Sequence, residues 1–159
     1  GLGPLLGDGE LAASLYPDGR RVGVWHRDGQ AGFGDYTQLR LRSPYRVHAE
    51  VPAAVLLGAS TASSGEVLAV ALRGRPATRS FGGPTRGLIA GNRTFALADG
   101  ASLVLTVAAT TDSAGRVYAE PIVPDELVAG AESASRAERG TDGTLATAVA
   151  WLAAGESCR

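Results

Sequence analysis

AAVLLGASTASSGEVLAVALRG, residues 53–74, decides the fold class of this 159-residue chain. Its first five residues, Ala53 to Leu57, are apolar without alternation, the pattern of a strand covered on both faces. Gly58 and the small polar residues behind it end that run. From Ser63 the pattern turns helical: Ser63 can cap the helix, Glu66 stands three positions on as in a capping box, and Gly74 follows the last turn. Strand, tight loop and helix in this order predict an α/β domain.

Working outward toward the N-terminus, Gly1 to Gly9 reads as an apolar helix end punctuated by glycines. Leu11 to Tyr16 and Arg21 to Arg27 flank Pro17-Asp18-Gly19-Arg20 and predict a hairpin, and Thr37 to Leu41 predicts a further strand. Pro44 and Pro52 break the chain before the core strand. On the other side, Thr78 to Phe81, Thr94 to Leu97, Ser102 to Ala108 and Arg116 to Ala119 are strand candidates, with a turn at Ala98-Asp99-Gly100. Residues 129–141 have no apolar period and read as a solvated linker, after a first unit spanning 1–128. The closing helix is expected over Asp142 to Ala154, with Leu145, Ala148, Val149 and Leu152 on one stripe. There is no internal repeat.

Composition narrows the function classes. Fifteen basic and 16 acidic residues leave a net charge of −1, and the isoelectric point is about 6.1. That balance lacks the positive footprint of a nucleic-acid or anionic-membrane binder. All the basic residues are arginine, so no lysine can act as a general base here. Cys158 is the one cysteine, which excludes an intrachain disulfide and a paired-cysteine metal clamp. No apolar run has the length of a membrane span, and no cofactor or metal is implied. The absence of methionine, even at position 1, leads us to expect a piece of a longer protein.

Ser63 has two readings from spacing alone. At the corner between a buried strand and a buried helix its hydroxyl would be exposed, with the free amides and positive dipole end of the helix aimed at any anion formed there. Equally, Ser63 and Glu66 can be no more than a cap. Chain order limits the chemistry. An α/β-hydrolase triad needs a histidine downstream of the serine, but His26 and His48 both precede it. His26 follows Val22 and Val24 on one strand face and reads as a core-edge residue; His48 shares a face with Arg46 and Glu50 and reads as solvent-facing.

TASSGE at 61–66, FGGPTRG at 81–87 and PIVPD at 121–125 resemble, in order, three signatures of the carboxyl-terminal processing and tricorn-type serine peptidases, the tail-specific proteases among them. The resemblance implies a crotonase-like (ClpP-like) α/β core, of which this chain is the C-terminal portion, with Ser63 as nucleophile on a peptide or protein substrate. It implies that the Ser64 amide is an oxyanion donor, that Gly82, Thr85, Arg86 and Gly87 belong to a substrate-side loop, and that Glu120 orients a histidine base. The processing branch places a lysine where this chain has Leu88, so the tricorn-like branch is the better match. The family's histidine and second oxyanion loop lie upstream of the nucleophile, and neither is recognisable here. The expectation is therefore a chain that lacks its base, hydrolyses peptides poorly alone, and either self-associates or joins the missing N-terminal half. Pro121 departs from the glycine usual in the third signature. Arg86 could clamp a substrate carboxylate. The same fold also occurs as a retinoid or lipid carrier, and a third reading is a structural fragment in which Ser63 only caps a helix. Arginine, alanine and glycine content suggest a GC-rich bacterial source, with no indication of compartment.

Overall fold

The apolar run at 53–57 is strand β5 (Ala53–Leu57), and it leads through residues 58–62 into helix α2 (Ser64–Arg73), as the sequence predicts. The chain returns as β6 (Thr78–Gly82), which runs parallel to β5 with Ala53 opposite Thr78 and Leu57 opposite Gly82. A two-residue strand, β10 (Glu126–Leu127), lies parallel along the far side of β6. These three form one sheet in the order β10-β6-β5. This computed structural model describes residues 2–45, 51–131 and 143–155. His48, most of the predicted linker, Asp142 and Cys158 lie outside the described residues.

Helices cover both faces of that sheet. Leu57, Ala69 and Val70 belong to one core cluster with Ala12, Ile89, Tyr118 and Ile122, and Val55 packs against it. On the other face Phe81, fully buried, meets Trp151 of helix α3 (Gly143–Ala154) with ring centroids 5.6 Å apart. Burying Phe81 alone removes enough apolar surface for roughly 1.5–3 kcal/mol. The α3 stripe differs from expectation. Ala148 is buried, but Leu145 and Val149 are more than half exposed. The covered positions are Thr144, Thr147, Ala148, Trp151 and Leu152, so Leu152 stays on the packed side as expected; the indole, the largest apolar group on the helix, sets the docking face. No described strand pairs with the outer edge of β5, where Leu56 is 45% exposed.

The second sheet is antiparallel and has seven strands. Its path is β4 (Tyr36–Arg40), β3 (Gln30–Phe33), β2 (Arg21–Arg27), β1 (Gly9–Leu15), β8 (Ser102–Asp112) and β7 (Gly91–Ala96), with β9 (Val117–Tyr118) also on β8. The β1–β2 hairpin closes at Pro17–Arg20 as predicted. β3 and β10 were not foreseen. β3 follows a tight Asp28-Gly29 turn in which both residues have positive φ, 42° and 75°, the geometry that suits the twist of a two-residue hairpin. The short N-terminal helix α1 (Gly3–Leu6) is held by Arg75, whose Nε donates to the Leu5 carbonyl at 2.7 Å.

Candidate active site

Parallel strands joined through a helix leave their connecting loops at the carboxyl ends of the strands, where α/β sheets collect ligands. Here the loop after β5 carries Ser63, and the end of β6 with the loop after it carries Gly82 to Gly87. The two touch directly, since the Arg86 N–H donates to the Thr61 carbonyl at 2.9 Å. Ser63 is the N-cap of α2 with φ 53° and ψ −118°, a region that non-glycine residues enter only at a cost of order 1–3 kcal/mol. Strain of this kind is what a sharp strand-to-helix turn imposes on a nucleophilic serine. Ser63 and Ser64 are both exposed, and the Ser64 N–H makes no recorded hydrogen bond among the described residues, as first-turn helix amides do.

Glu66 stands beneath this turn and is fully buried. Its Oε2 accepts the Ser63 N–H at 2.9 Å, the Glu66 arm of the capping box read from the sequence. The carboxylate does much more than cap. Oε2 also accepts the Leu88 N–H at 2.9 Å, and Oε1 accepts the Gly87 N–H at 2.7 Å and the Thr85 hydroxyl at 2.5 Å. The Thr85 oxygen in turn accepts the Ile122 N–H at 2.8 Å. One carboxylate and one hydroxyl thus bind together segments 61–66, 81–87 and 121–125, which are far apart in the chain.

Of the four residues expected on the substrate side, Gly82 and Thr85 face inward. Thr85 is 5% exposed, its hydroxyl spent on Glu66 and Ile122. Gly82 is buried with φ 122°, and a Cβ there would stand 2.1 Å from the Leu57 carbonyl oxygen, so only glycine allows β5 and β6 to run this close. Gly87, with φ 77°, packs against Pro121, and Arg86 is exposed. Glu120 is also exposed, next to Pro121, and so lies in the segment that Thr85 ties to the Ser63 turn. His26 is buried, with Nδ1 3.1 Å from the Gly7 carbonyl and 3.2 Å from Asp8, in keeping with a core-edge histidine. The residue that sequence reasoning undervalued is Glu66. It shares its helix face with Ala69 and Val70 at i+3 and i+4, so a carboxylate on the buried stripe was the available signal.

A cavity of about 900 Å³ opens beside α2 and is lined by Arg73, Arg79, Arg116, Glu120, Asp125 and an apolar floor that includes Leu57 and Ile122. Within it the Ser80 hydroxyl donates to Asp125 at 2.6 Å. Burial works against the charged Asp125, but hydrogen bonds from the Ser80 side chain and backbone, with the charges of Arg73 and Arg79, outweigh it and hold the carboxyl below its ordinary range. Burial first, then the hydrogen bond to Asp112 and its charge, raise the Tyr118 phenol against the opposing pull of Arg73. Among the described residues no group of three or more His, Cys, Asp or Glu side chains could hold a metal ion.

Comparisons with known proteins bear on the family and the fold. The family described as Peptidase family S41 matches residues 4–128. The nisin-resistance protein of Lactococcus lactis subsp. lactis is 30% identical over 136 residues, covering 85% of this chain and 42% of the relative. Two solved structures share the fold over nearly the whole chain. A lipoprotein from Streptococcus agalactiae has a TM-score of 0.61 at 24% identity, over 96% of this chain and 47% of its own. A peptidase-like protein from Parabacteroides merdae has a TM-score of 0.64 at 18% identity, over 98% and 47%. The photosystem II D1 C-terminal processing protease aligns over 80% of this chain and 29% of its own, with a TM-score of 0.54 at 24% identity. The chain therefore spans less than half the length of each of these proteins.

Proposed function

The chain belongs to peptidase family S41, and from that premise we propose that it is the nucleophile-bearing portion of a serine peptidase, with a crotonase-like core of the tricorn-like branch. The observation that carries this reading is Ser63: exposed, non-glycine, and held at φ 53° where β5 turns into α2. A plain cap has no need of such a conformation, because an N-cap serine works in the ordinary extended region. In the proposed reaction the Ser63 hydroxyl attacks a peptide carbonyl and loses its proton to an imidazole. The oxyanion is held in part by the Ser64 N–H. The amine then leaves with the proton returned by the imidazole, and water releases the acyl group from Ser63. Glu120 is assigned to orient that imidazole, which a further part of the protein or a partner supplies. Arg86, exposed beside the nucleophile turn, is assigned to the substrate. The Lactococcus relative's name makes nisin a substrate to assay.

The carrier reading has less support, because the cavity beside α2 is lined by Arg73, Arg79, Arg116, Glu120 and Asp125, poor company for a retinoid or lipid. A fluorophosphonate probe separates the two. Slow covalent modification of Ser63, absent in Ser63→Ala, is the expected result. Saturable binding of an apolar ligand with an unreactive Ser63 would overturn it.

A further inference from the structure

Where segments 61–66 and 82–88 meet, the exposed residues are Ser63, Ser64, Arg86 and Leu88. Leu88, 59% exposed, is the apolar one. A lone leucine on a surface carries no meaning by itself, but this one has a fixed address. Its N–H donates at 2.9 Å to the same Glu66 oxygen that accepts the Ser63 N–H at 2.9 Å, so the backbones of residues 63 and 88 are immediate neighbours. On its other side Ile89 is sunk in the core cluster, and the Ile89 carbonyl accepts the Thr110 hydroxyl at 2.7 Å. The Leu88 backbone is thus pinned at both ends while its side chain stays open to contact. We propose that Leu88 is a specificity-determining residue of the hydrolytic site, which takes peptides with an apolar side chain on the residue whose carbonyl Ser63 attacks. This deepens the serine-peptidase reading and rests on it. That side chain branches one atom away from the attacked carbonyl carbon, so in an acyl-enzyme it lies against the groups that flank Ser63. Ser64 and Arg86 offer it a hydroxyl and a charge, whereas contact with Leu88 takes apolar surface of both partners out of water. A polar side chain in the same place would lose water without gaining a hydrogen bond from Leu88. Because Leu88 is anchored before substrate arrives, little backbone ordering is spent on the contact.

Two N-acetylated peptide boronic acids test this, identical except that the side chain beside the boron is leucine-like in one and asparagine-like, of nearly the same shape, in the other. Each competes with a fluorophosphonate for Ser63 of the 159-residue chain. The leucine-like boronate should protect Ser63 at a concentration about tenfold or more below that of its polar twin, the scale of discrimination by apolar contact. In Leu88→Asn that ratio should fall below about threefold, while Leu145→Asn, altered at an exposed position of α3, should keep the wild-type ratio. Protected amides at Val70 and Phe81 identify a folded Leu88→Asn; Leu88→Ala, which shortens the side chain without adding a polar group, is the second variant and should lower the ratio in the same direction. Equal protection by the two boronates in the wild type overturns the specificity role and leaves the nucleophile standing. So does a ratio that survives in both Leu88 variants, or a Ser63 that the fluorophosphonate modifies and neither boronate protects. A wild-type Ser63 that the fluorophosphonate never modifies overturns the nucleophile reading and this role with it.

Discussion

At Ser63 the backbone holds a conformation that glycine would adopt more comfortably. Ser63→Gly is therefore expected to raise stability by about 0.5–1 kcal/mol, after the few tenths lost with the cap. A denaturant midpoint that rises at constant slope would register it, while the same change abolishes probe labelling. On the proposed function, a site that gains stability when this hydroxyl is removed is one shaped for activity at the expense of the fold. The position of Ser63 was legible from the switch between an apolar run and a helical pattern, and the capping spacing found Glu66 as a partner. The three further bonds of Glu66 were not legible, because they join residues 19 to 22 positions apart through a loop whose shape depends on Gly82 and Gly87 adopting positive φ.

Strands and helices show the same division between local and distant causes. β5, α2 and the β1–β2 hairpin follow from local pattern and turn chemistry. β10 has only two residues and exists because β6 offers an edge at Phe81 and Gly82, a cause that its own sequence does not contain. β3 could have been found, for Asp28-Gly29 is a strong hairpin signal that the glycine-containing segment after it obscured. For α3 the packed face predicts that Trp151→Ala costs about 2–4 kcal/mol, whereas Leu145→Ala and Val149→Ala stay within about 0.5 kcal/mol. Thermal or chemical denaturation of the three variants checks this. Where β6 meets the PIVPD segment, Asp125 is held below its ordinary carboxyl range, so its contribution to stability is complete at neutral pH and is lost as acidification passes through that lowered value. In Asp125→Asn that portion of the acid-induced loss should be missing from unfolding curves measured between neutral pH and about pH 2.

At the scale of the whole molecule, two surfaces are left uncovered by the described residues. The β7–β8 ribbon alternates so that Phe95, Leu103 and Leu105 share one face, each at least 36% exposed. β5 ends its sheet with Ala-Ala-Val-Leu-Leu, free of the charge, proline or bulge that guards natural edges. The isolated chain is expected to associate, and light scattering across a concentration series should show mass rising with concentration; a monodisperse monomer throughout would refute this. A polypeptide that completes the domain should instead bring the mass to that of a one-to-one complex.

The edge of β5, unpaired among the described residues, has one further effect, because the strand hands its chain to the Ser63 turn after only residues 58–62. On the proposed function, whatever zips onto that edge arrives within reach of Ser63. On that reading, joining the partner and arming the serine would be a single event, and the unaccompanied chain would be its own zymogen.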